Sequence, residues 1–364
     1  MLVAGTRPNF VKVAPVRRAL AAVADLEVTL VDTGQHYDGE MNNGLLGALE
    51  AAPPDVNLGV GSATHAVQTA RIMECLEAVL VERRPDAVMV FGDVNSTAAC
   101  ALVAAKLGVR IAHVEAGLRS FDRSMPEEIN RIVTDSLSDL LLVSESSGTR
   151  NLLAEGKAHD QIREVGNVMI DSLRWVEPRA LALRPWERYG WGPGGYGYAT
   201  LHRPSNVDDP TVLERIMDCL DGLSKQLPIL LPLHPRTRAR LQSAGWSPSR
   251  TFVLTEPAPY VESVALQRSA RMVLTDSGGL QEEASCLGVP CLCLRWNTER
   301  PATVELGTVT LVGNDPGRIE AGFREVLDGS YKRGGPIPLW DGRAAERIVV
   351  AVVEWLGLRQ EGTA

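Results

Sequence analysis

Val273-Leu274-Thr275-Asp276-Ser277-Gly278-Gly279-Leu280-Gln281-Glu282-Glu283 is an apolar run that turns on Asp-Ser-Gly-Gly and enters a helix through its last residues. A buried strand feeding a helix through two glycines aims free backbone N–H groups at one place, where the positive end of the helix dipole also lies. Such a turn is a receptacle for phosphate. Ser277 can add a hydroxyl donor. Glu283, about one turn further in, can accept hydrogen bonds from a neutral diol such as ribose. The competing account is an ordinary strand–helix turn whose glycines serve their dihedral angles.

Outward from this turn, strands alternate with helical segments. Gly197 to Leu201 ends at His202-Arg203-Pro204-Ser205-Asn206, and Ile229 to Leu233 ends at His234-Pro235-Arg236. Phe252 to Leu254 precedes the central strand, and Cys291 to Leu294 follows it and leads to Thr298-Glu299-Arg300-Pro301. Upstream, Glu177 to Gly197 is rich in Pro, Gly and Trp and has no period, so it reads as a linker. It contains Gly192-Pro-Gly-Gly-Tyr-Gly197, a formal G-x-G-x-x-G that precedes a strand and opens no helix, so a dinucleotide cofactor is not expected.

The first half has the same alternation. Leu2-Val3-Ala4 runs through Gly5-Thr6-Arg7-Pro8 into a helix marked by Val13, Val16 and Leu20. Arg7 lies in the turn, and Lys12 reads equally as a ligand or as a solvated helix residue. Leu26, Val28 and Leu30 alternate and predict a second strand ending at Asp32-Thr33-Gly34-Gln35-His36-Tyr37. Ala87 to Phe91 ends at Gly92-Asp93, and Val109 to Val114 ends at Glu115-Ala116-Gly117-Leu118-Arg119. Leu140 to Val143 and Ile162 to Val165 follow. Polar clusters just past parallel strands are where open α/β sheets hold ligands. Met125-Pro126-Glu127-Glu128-Ile129-Asn130-Arg131 is a helix start. Glu127 and Arg131, four apart, share a face and can equally form a surface ion pair. The chain therefore reads as two doubly wound α/β halves. The expected limits are 1–172, with an apolar C-terminal helix over 345–364 returning to that domain, and 173–344.

Composition narrows the function. The 364 residues are 45% hydrophobic and 23% charged, as in a globular protein, with a net charge of −8. That charge argues against nucleic acid and anionic membranes as partners, and no apolar run has the length of a membrane span. The six cysteines lack metal-site spacing and read as reduced, buried thiols of a cytoplasmic protein. The first residues carry no basic region of a signal peptide. No metal-ligand constellation is expected.

Two such halves with facing ligand edges predict a cleft at the domain boundary. The second half would contribute the Ser-Gly-Gly helix start, His202, Arg203, His234 and Arg300. The first would contribute Arg7, Lys12, Asp93, Glu115 and Glu127. One wall suits a nucleoside diphosphate, and the carboxylates of the other suit proton transfer on a neutral sugar. Cations and backbone N–H groups would then stabilise the leaving diphosphate without Mg²⁺.

With these motifs in order, the chain resembles the bacterial non-hydrolysing UDP-N-acetylglucosamine 2-epimerases of the two-domain GT-B fold. The resemblance runs from Gly5 to about Val312. It is carried by Gly-Thr-Arg-Pro-Asn-Phe-Val-Lys, Thr-Gly-Gln-His-Tyr, Gly-Asp-Val-Asn-Ser-Thr, His-Val-Glu-Ala-Gly-Leu-Arg and Pro-Glu-Glu-Ile-Asn-Arg. In the second half it rests on His-Arg-Pro-Ser-Asn-Val-Asp, His-Pro-Arg-Thr, Thr-Asp-Ser-Gly-Gly-Leu-Gln-Glu-Glu and Thr-Glu-Arg-Pro.

The resemblance implies an isomerase without a redox cofactor or metal. UDP leaves C1 as the C2 proton is removed, a 2-acetamidoglucal stays bound, and UDP returns after reprotonation from the other face. Asp93, Glu115, Glu127 and His202 match the family's catalytic positions. Arg7, Ser277, Gly278, Gly279 and Arg300 match diphosphate positions, Glu283 the ribose position, and Lys12, Arg131 and His234 other cleft positions. A homodimer is implied as well. Some members are activated by a second substrate molecule through a glutamine shortly after the Gln-His pair. Here Tyr37-Asp38-Gly39 follows Gln35-His36, so that regulation is not expected. Many members also carry an acidic residue where Ser205 stands. The alternatives are a hydrolysing 2-epimerase releasing UDP and N-acetylmannosamine, a GT-B glycosyltransferase, an enzyme for a related UDP-amino sugar, and an inactive UDP-sugar sensor.

Overall fold

The strand–helix alternation of the sequence is present in a computed structural model of the chain, which describes residues 1–35, 39–233 and 235–358. His36, Tyr37, Asp38, His234 and the tail from 359 onward lie outside the described residues. The chain divides into two compact units, Met1–Trp175 with the segment from Pro338 onward, and Val176–Ile337.

The N-terminal unit begins β1 (Leu2–Ala4), α1 (Arg7–Ala21), β2 (Leu30–Asp32), α2 (Gly39–Ala48), β3 (Val56–Asn57) and α3 (His65–Arg83). It continues β4 (Ala87–Phe91), α4 (Asn95–Lys106), β5 (Arg110–Val114), α5 (Pro126–Leu137), β6 (Leu140–Val143), α6 (Ser146–Ala154), β7 (Ile162–Glu164) and α7 (Val168–Leu183). All seven strands are parallel, in the order β3-β2-β1-β4-β5-β6-β7. The runs Val88–Phe91 and Leu140–Val143 are buried throughout, because crossover helices cover both faces of a parallel sheet.

The second unit contains β8 (Gly197–Thr200), α8 (Pro204–Val207), α9 (Pro210–Ser224), β9 (Ile229–Pro232), α10 (Pro235–Ser243), β10 (Phe252–Thr255) and α11 (Tyr260–Ser269). Then come β11 (Met272–Thr275), α12 (Gly278–Leu287), β12 (Cys291–Cys293), α13 (Pro301–Glu305), β13 (Val309–Leu311) and α14 (Pro316–Asp328). Its sheet is also parallel, ordered β10-β9-β8-β11-β12-β13. One core joins Leu213, Ile216 and Leu220 of α9, Leu231 and Leu274 of the sheet, and Ile319 and Phe323 of α14. The last helix, α15 (Ala344–Leu356), belongs to the N-terminal unit. Its first two backbone N–H groups donate to the Asp171 carboxylate at 3.0 and 2.7 Å.

Three expectations need correction. The second strand starts at Leu30 rather than Leu26, because β1 offers only Leu2–Ala4 and these pair with Leu30–Asp32. The presumed linker from Glu177 is helical to Leu183, running through Pro178. Val176 and Ala180 are fully buried and anchor it, so tertiary burial overrides the cost of an internal proline. Finally, all six cysteines are free thiols, but only Cys100, Cys291 and Cys293 are buried, while Cys75 is exposed. The short strands β3 and β13 were not anticipated. The Gly192–Gly197 segment is a turn entering β8, and among the described residues no helix is long and apolar enough to cross a membrane.

Candidate functional site

Each sheet reverses direction once, between β1 and β4 in the N-terminal unit and between β8 and β11 in the other. Loops leaving the carboxyl ends of strands at such switch points form the ligand crevice of an open α/β sheet. Asp93, His202 and Ser277 stand on those loops, and Arg7 opens α1 beside them. Glu115 and Arg300 follow the neighbouring strands β5 and β12, and Glu127, Arg131 and Glu283 lie on α5 and α12.

In the N-terminal unit, the turn after β1 is fixed by Asn9. Its side-chain oxygen accepts from the N–H groups of Gly5 and Thr6 at 3.2 Å each, and its amide donates to the Phe91 carbonyl at 3.0 Å. This ties the Arg7 turn to the end of β4. Lys12 is buried and forms an ion pair with Glu115, so it is not a solvated helix residue. Glu115 has a backbone φ of +71°, a left-handed conformation that costs an ordinary residue on the order of 1–3 kcal/mol. Its Oε1 is buried with no hydrogen-bond partner among the described residues. Gly92, with φ +66°, brings its chain against this pair: a Cβ there would lie 2.9 Å from the Lys12 Nζ.

Asp93, next in sequence, pairs with Arg131. Arg131 is 2% exposed and also pairs with Glu128 at 2.7 Å. Arg131 is therefore a buried residue rather than a surface one. The motif carries further support. Asn130 donates to the Asp93 carbonyl at 2.9 Å. Glu128 accepts from the N–H groups of Ser120 and Phe121 at 2.9 Å each, which pins the loop after β5. Glu127 sits half-buried on the same first turn of α5.

Behind these loops, His113 places Nδ1 2.6 Å from Asp135 and Nε2 2.8 Å from the Gly92 carbonyl. Asp135 also accepts from the Gly117 N–H at 3.0 Å and pairs with Arg119 at 2.7 Å. Burial pushes the Asp135 carboxyl up, but the neighbouring His113 and Arg119 outweigh it and hold it below the ordinary range. Two turns, at Gly92 and Gly117, are thus anchored on one buried carboxylate.

In the second unit, Ser277 is the N-cap of α12 and its hydroxyl faces the Leu280 N–H at 3.5 Å. The Arg300 guanidinium lies against Gly278, where a Cβ would come within 2.7 Å of Nη1. Glu282 and Glu299 both pair with Arg300, and Arg295 braces Glu299 at 2.8 Å. A cation and a helix N-terminus therefore converge beside Gly278 and Gly279, the arrangement that receives an anion. Glu283 is 2% exposed and accepts from the Gln267 amide at 2.8 Å. Burial raises its pKa against the pull of that amide. His202, after β8, has Nδ1 2.9 Å from Asp276.

Sequence reasoning missed Asn9, Glu128, Asn130, Asp135, Asp276, Glu282 and Glu299. Most stood inside the quoted motifs, yet nothing in their spacing distinguishes a supporting side chain from its neighbour. Among the described residues, no three His, Cys, Asp or Glu side chains group as a metal site.

A sequence profile of the UDP-N-acetylglucosamine 2-epimerases matches residues 18–353. The chain belongs to the UDP-N-acetylglucosamine 2-epimerase family. It is 38% identical to the UDP-N-acetylglucosamine 2-epimerase of Methanocaldococcus jannaschii, over 96% of this chain and 97% of that one. Identity is also 38% to the UDP-2,3-diacetamido-2,3-dideoxy-D-glucuronate 2-epimerase of Pseudomonas aeruginosa, over 96% and 97%. The crystal structure of the Methanocaldococcus jannaschii UDP-GlcNAc 2-epimerase in complex with UDP-GlcNAc and UDP superposes with a TM-score of 0.88 at 37% identity. That match covers 97% of this chain and 99% of the other. The fold is accordingly the α/β GT-B type of this family, with two Rossmann-like domains.

Proposed function

We propose that the chain interconverts UDP-N-acetylglucosamine and UDP-N-acetylmannosamine by eliminating UDP and adding it back. The observation that carries the reading is the convergence of the α12 N-terminus and the Arg300 guanidinium beside Gly278, together with the carboxylates gathered past β4 and β5. Ser277, Gly278, Gly279 and Arg300 present donors suited to a diphosphate, a role Arg7 shares. Glu283 is assigned to the ribose. Asp93, Glu115, Glu127 and His202 are assigned to the hexosamine, with Lys12 and Arg131 setting the charge of their carboxylate partners.

The C2 proton of the bound sugar is not acidic in the ground state. Cleavage of the C1–O bond, with the electron pair leaving on UDP, builds positive charge on the ring. C2 then loses its proton to an enzyme base, giving the glycal and UDP. Return of a proton to the opposite face of C2 and of UDP to C1 completes the cycle. Cations on the diphosphate favour the first event by stabilising charge that develops there. The carboxylates serve the second as acid and base.

The test is NMR of UDP-N-acetylglucosamine with purified protein in D₂O. Interconversion with deuterium at C2 is the expected result. Free UDP with free N-acetylmannosamine would select the hydrolysing reaction, and no change without an acceptor would select a transferase or a sensor. A second reading is favoured by the Pseudomonas relative, whose name gives a diacetamido glucuronate substrate. The same assay with that nucleotide sugar separates the two by the ratio of kcat/KM.

A further inference from the structure

We infer that Asp276 is a positioning residue that holds His202 as its Nδ1–H tautomer, leaving Nε2 as the nitrogen available for chemistry.

Asp276 is fully buried, and its carboxylate is surrounded by donors. The His202 N–H lies 3.1 Å from both oxygens, the Arg203 N–H 2.9 Å from Oδ2, and the Asn206 amide 3.1 Å from Oδ2. The fourth contact is His202 Nδ1, 2.9 Å from Oδ1. Three of these partners can only donate, and together they engage both oxygens, which stabilises the ionised carboxylate. Burial pushes it up, but the His202 ring and the two backbone N–H groups outweigh that and hold it below the ordinary range. An ionised carboxylate has no proton to give, so the fourth contact requires Nδ1 to be the donor. The lone pair of neutral His202 then belongs to Nε2. The ring is half exposed, its side chain 54% accessible, so Nε2 is not consumed inside the protein.

The scaffold keeps this geometry in place. Asn206 is 1% exposed, and its amide also donates to the Leu294 carbonyl at 2.9 Å, joining the loop after β8 to the end of β12. Asp276 is the residue before Ser277, the α12 N-cap. One carboxylate beside that N-cap therefore sets the loop carrying His202. The carboxylate that orients a catalytic imidazole works in the same way in serine hydrolases, where it fixes tautomer and direction without itself taking the proton.

The tautomer stands on the surroundings of Asp276, while its effect on turnover rests on the epimerase reading. Two measurements separate them. In protein labelled with ¹⁵N-histidine, with His202 assigned through His202→Gln, the pyridine-type signal of the neutral ring is expected at Nε2. A pyridine-type signal at Nδ1 overturns the proposal whatever the enzyme does and whether or not Asp276→Asn folds. In the D₂O assay, Asp276→Asn is expected to lower kcat on the order of a hundredfold with KM little changed. In a His202→Gln background it is expected to cost nothing further, because a residue acting through another shows no additive loss. Multiplicative losses would overturn the positioning role. An Nε2 lone pair in a protein without epimerase turnover would sink the epimerase reading and leave the tautomer standing.

Discussion

Asp93 meets the buried Arg131, and Lys12 and Glu115 meet as a buried pair. Removing one partner of such a pair leaves an uncompensated charge, whereas neutralising an acid isosterically keeps the shape. Asp93→Asn is therefore expected to retain UDP affinity within about twofold, while turnover falls on the order of 10²–10⁴-fold as for loss of a general acid or base. Calorimetric titration with UDP beside the D₂O assay checks both halves, and a collapse of nucleotide affinity would contradict the assignment. Gly278 argues the converse case. A methyl there would stand 2.7 Å from Arg300 Nη1 and 3.0 Å from Glu299 Oε1. Arg300 is gripped by Glu282 and Glu299 and cannot swing aside without breaking those pairs. Gly278→Ala is expected to raise the UDP dissociation constant by about tenfold, equivalent to ~1.4 kcal/mol, with the melting temperature less affected. Unchanged affinity would show that Arg300 does not hold the diphosphate.

Helix α15 returns to the N-terminal unit and is capped from a distance, by Asp171 of α7. Burial pushes the Asp171 carboxyl up to about 6, against the pull of the Ala345 and Ala344 N–H groups. A raised folded pKa means that the folded state binds the proton more tightly. The corresponding stability is complete below the ordinary pKa of 3.8 and is lost as pH rises through about 6. Across that window the group removes on the order of 3 kcal/mol, from about 1.4 kcal/mol per pH unit. Asp171→Asn does not titrate. Its Tm relative to the parent is expected to improve between pH 4.5 and pH 7.5, and a constant difference would contradict the buried-acid account. The element scale also explains the misread linker: a Pro-bearing segment stays helical because Val176 and Ala180 have somewhere to be buried.

At the scale of the whole molecule, the N-terminal unit is completed by residues almost 200 positions later. The Trp340 indole N–H donates to the Ser144 carbonyl at 2.9 Å, and the side chain is buried. Arg347 donates to the Val165 carbonyl at 3.2 Å. Trp340→Ala is expected to cost about 3–5 kcal/mol. Hydrogen exchange should accelerate in β6 and α15 while β8 to β13 keep their protection. Equal loss across both sheets would mean that the segment from Pro338 stabilises the second unit as well.

The alternation of short apolar runs with helical segments was enough to give two parallel α/β halves, because strands buried on both faces must be continuously apolar and helices must repeat near 3.6. Local chemistry likewise marked the turns at Gly5–Arg7, Gly92–Asp93, Glu115–Arg119 and Ser277–Gly279, since glycines and acids just past strands have few other uses. What the chain could not declare was which charges face each other. That Lys12 belongs to Glu115, Arg131 to Asp93 and Asp276 to His202 depends on strands brought side by side in each sheet, over separations of 103, 38 and 74 residues. Spacing along the chain carries no record of such meetings, and only the packed sheet decides them.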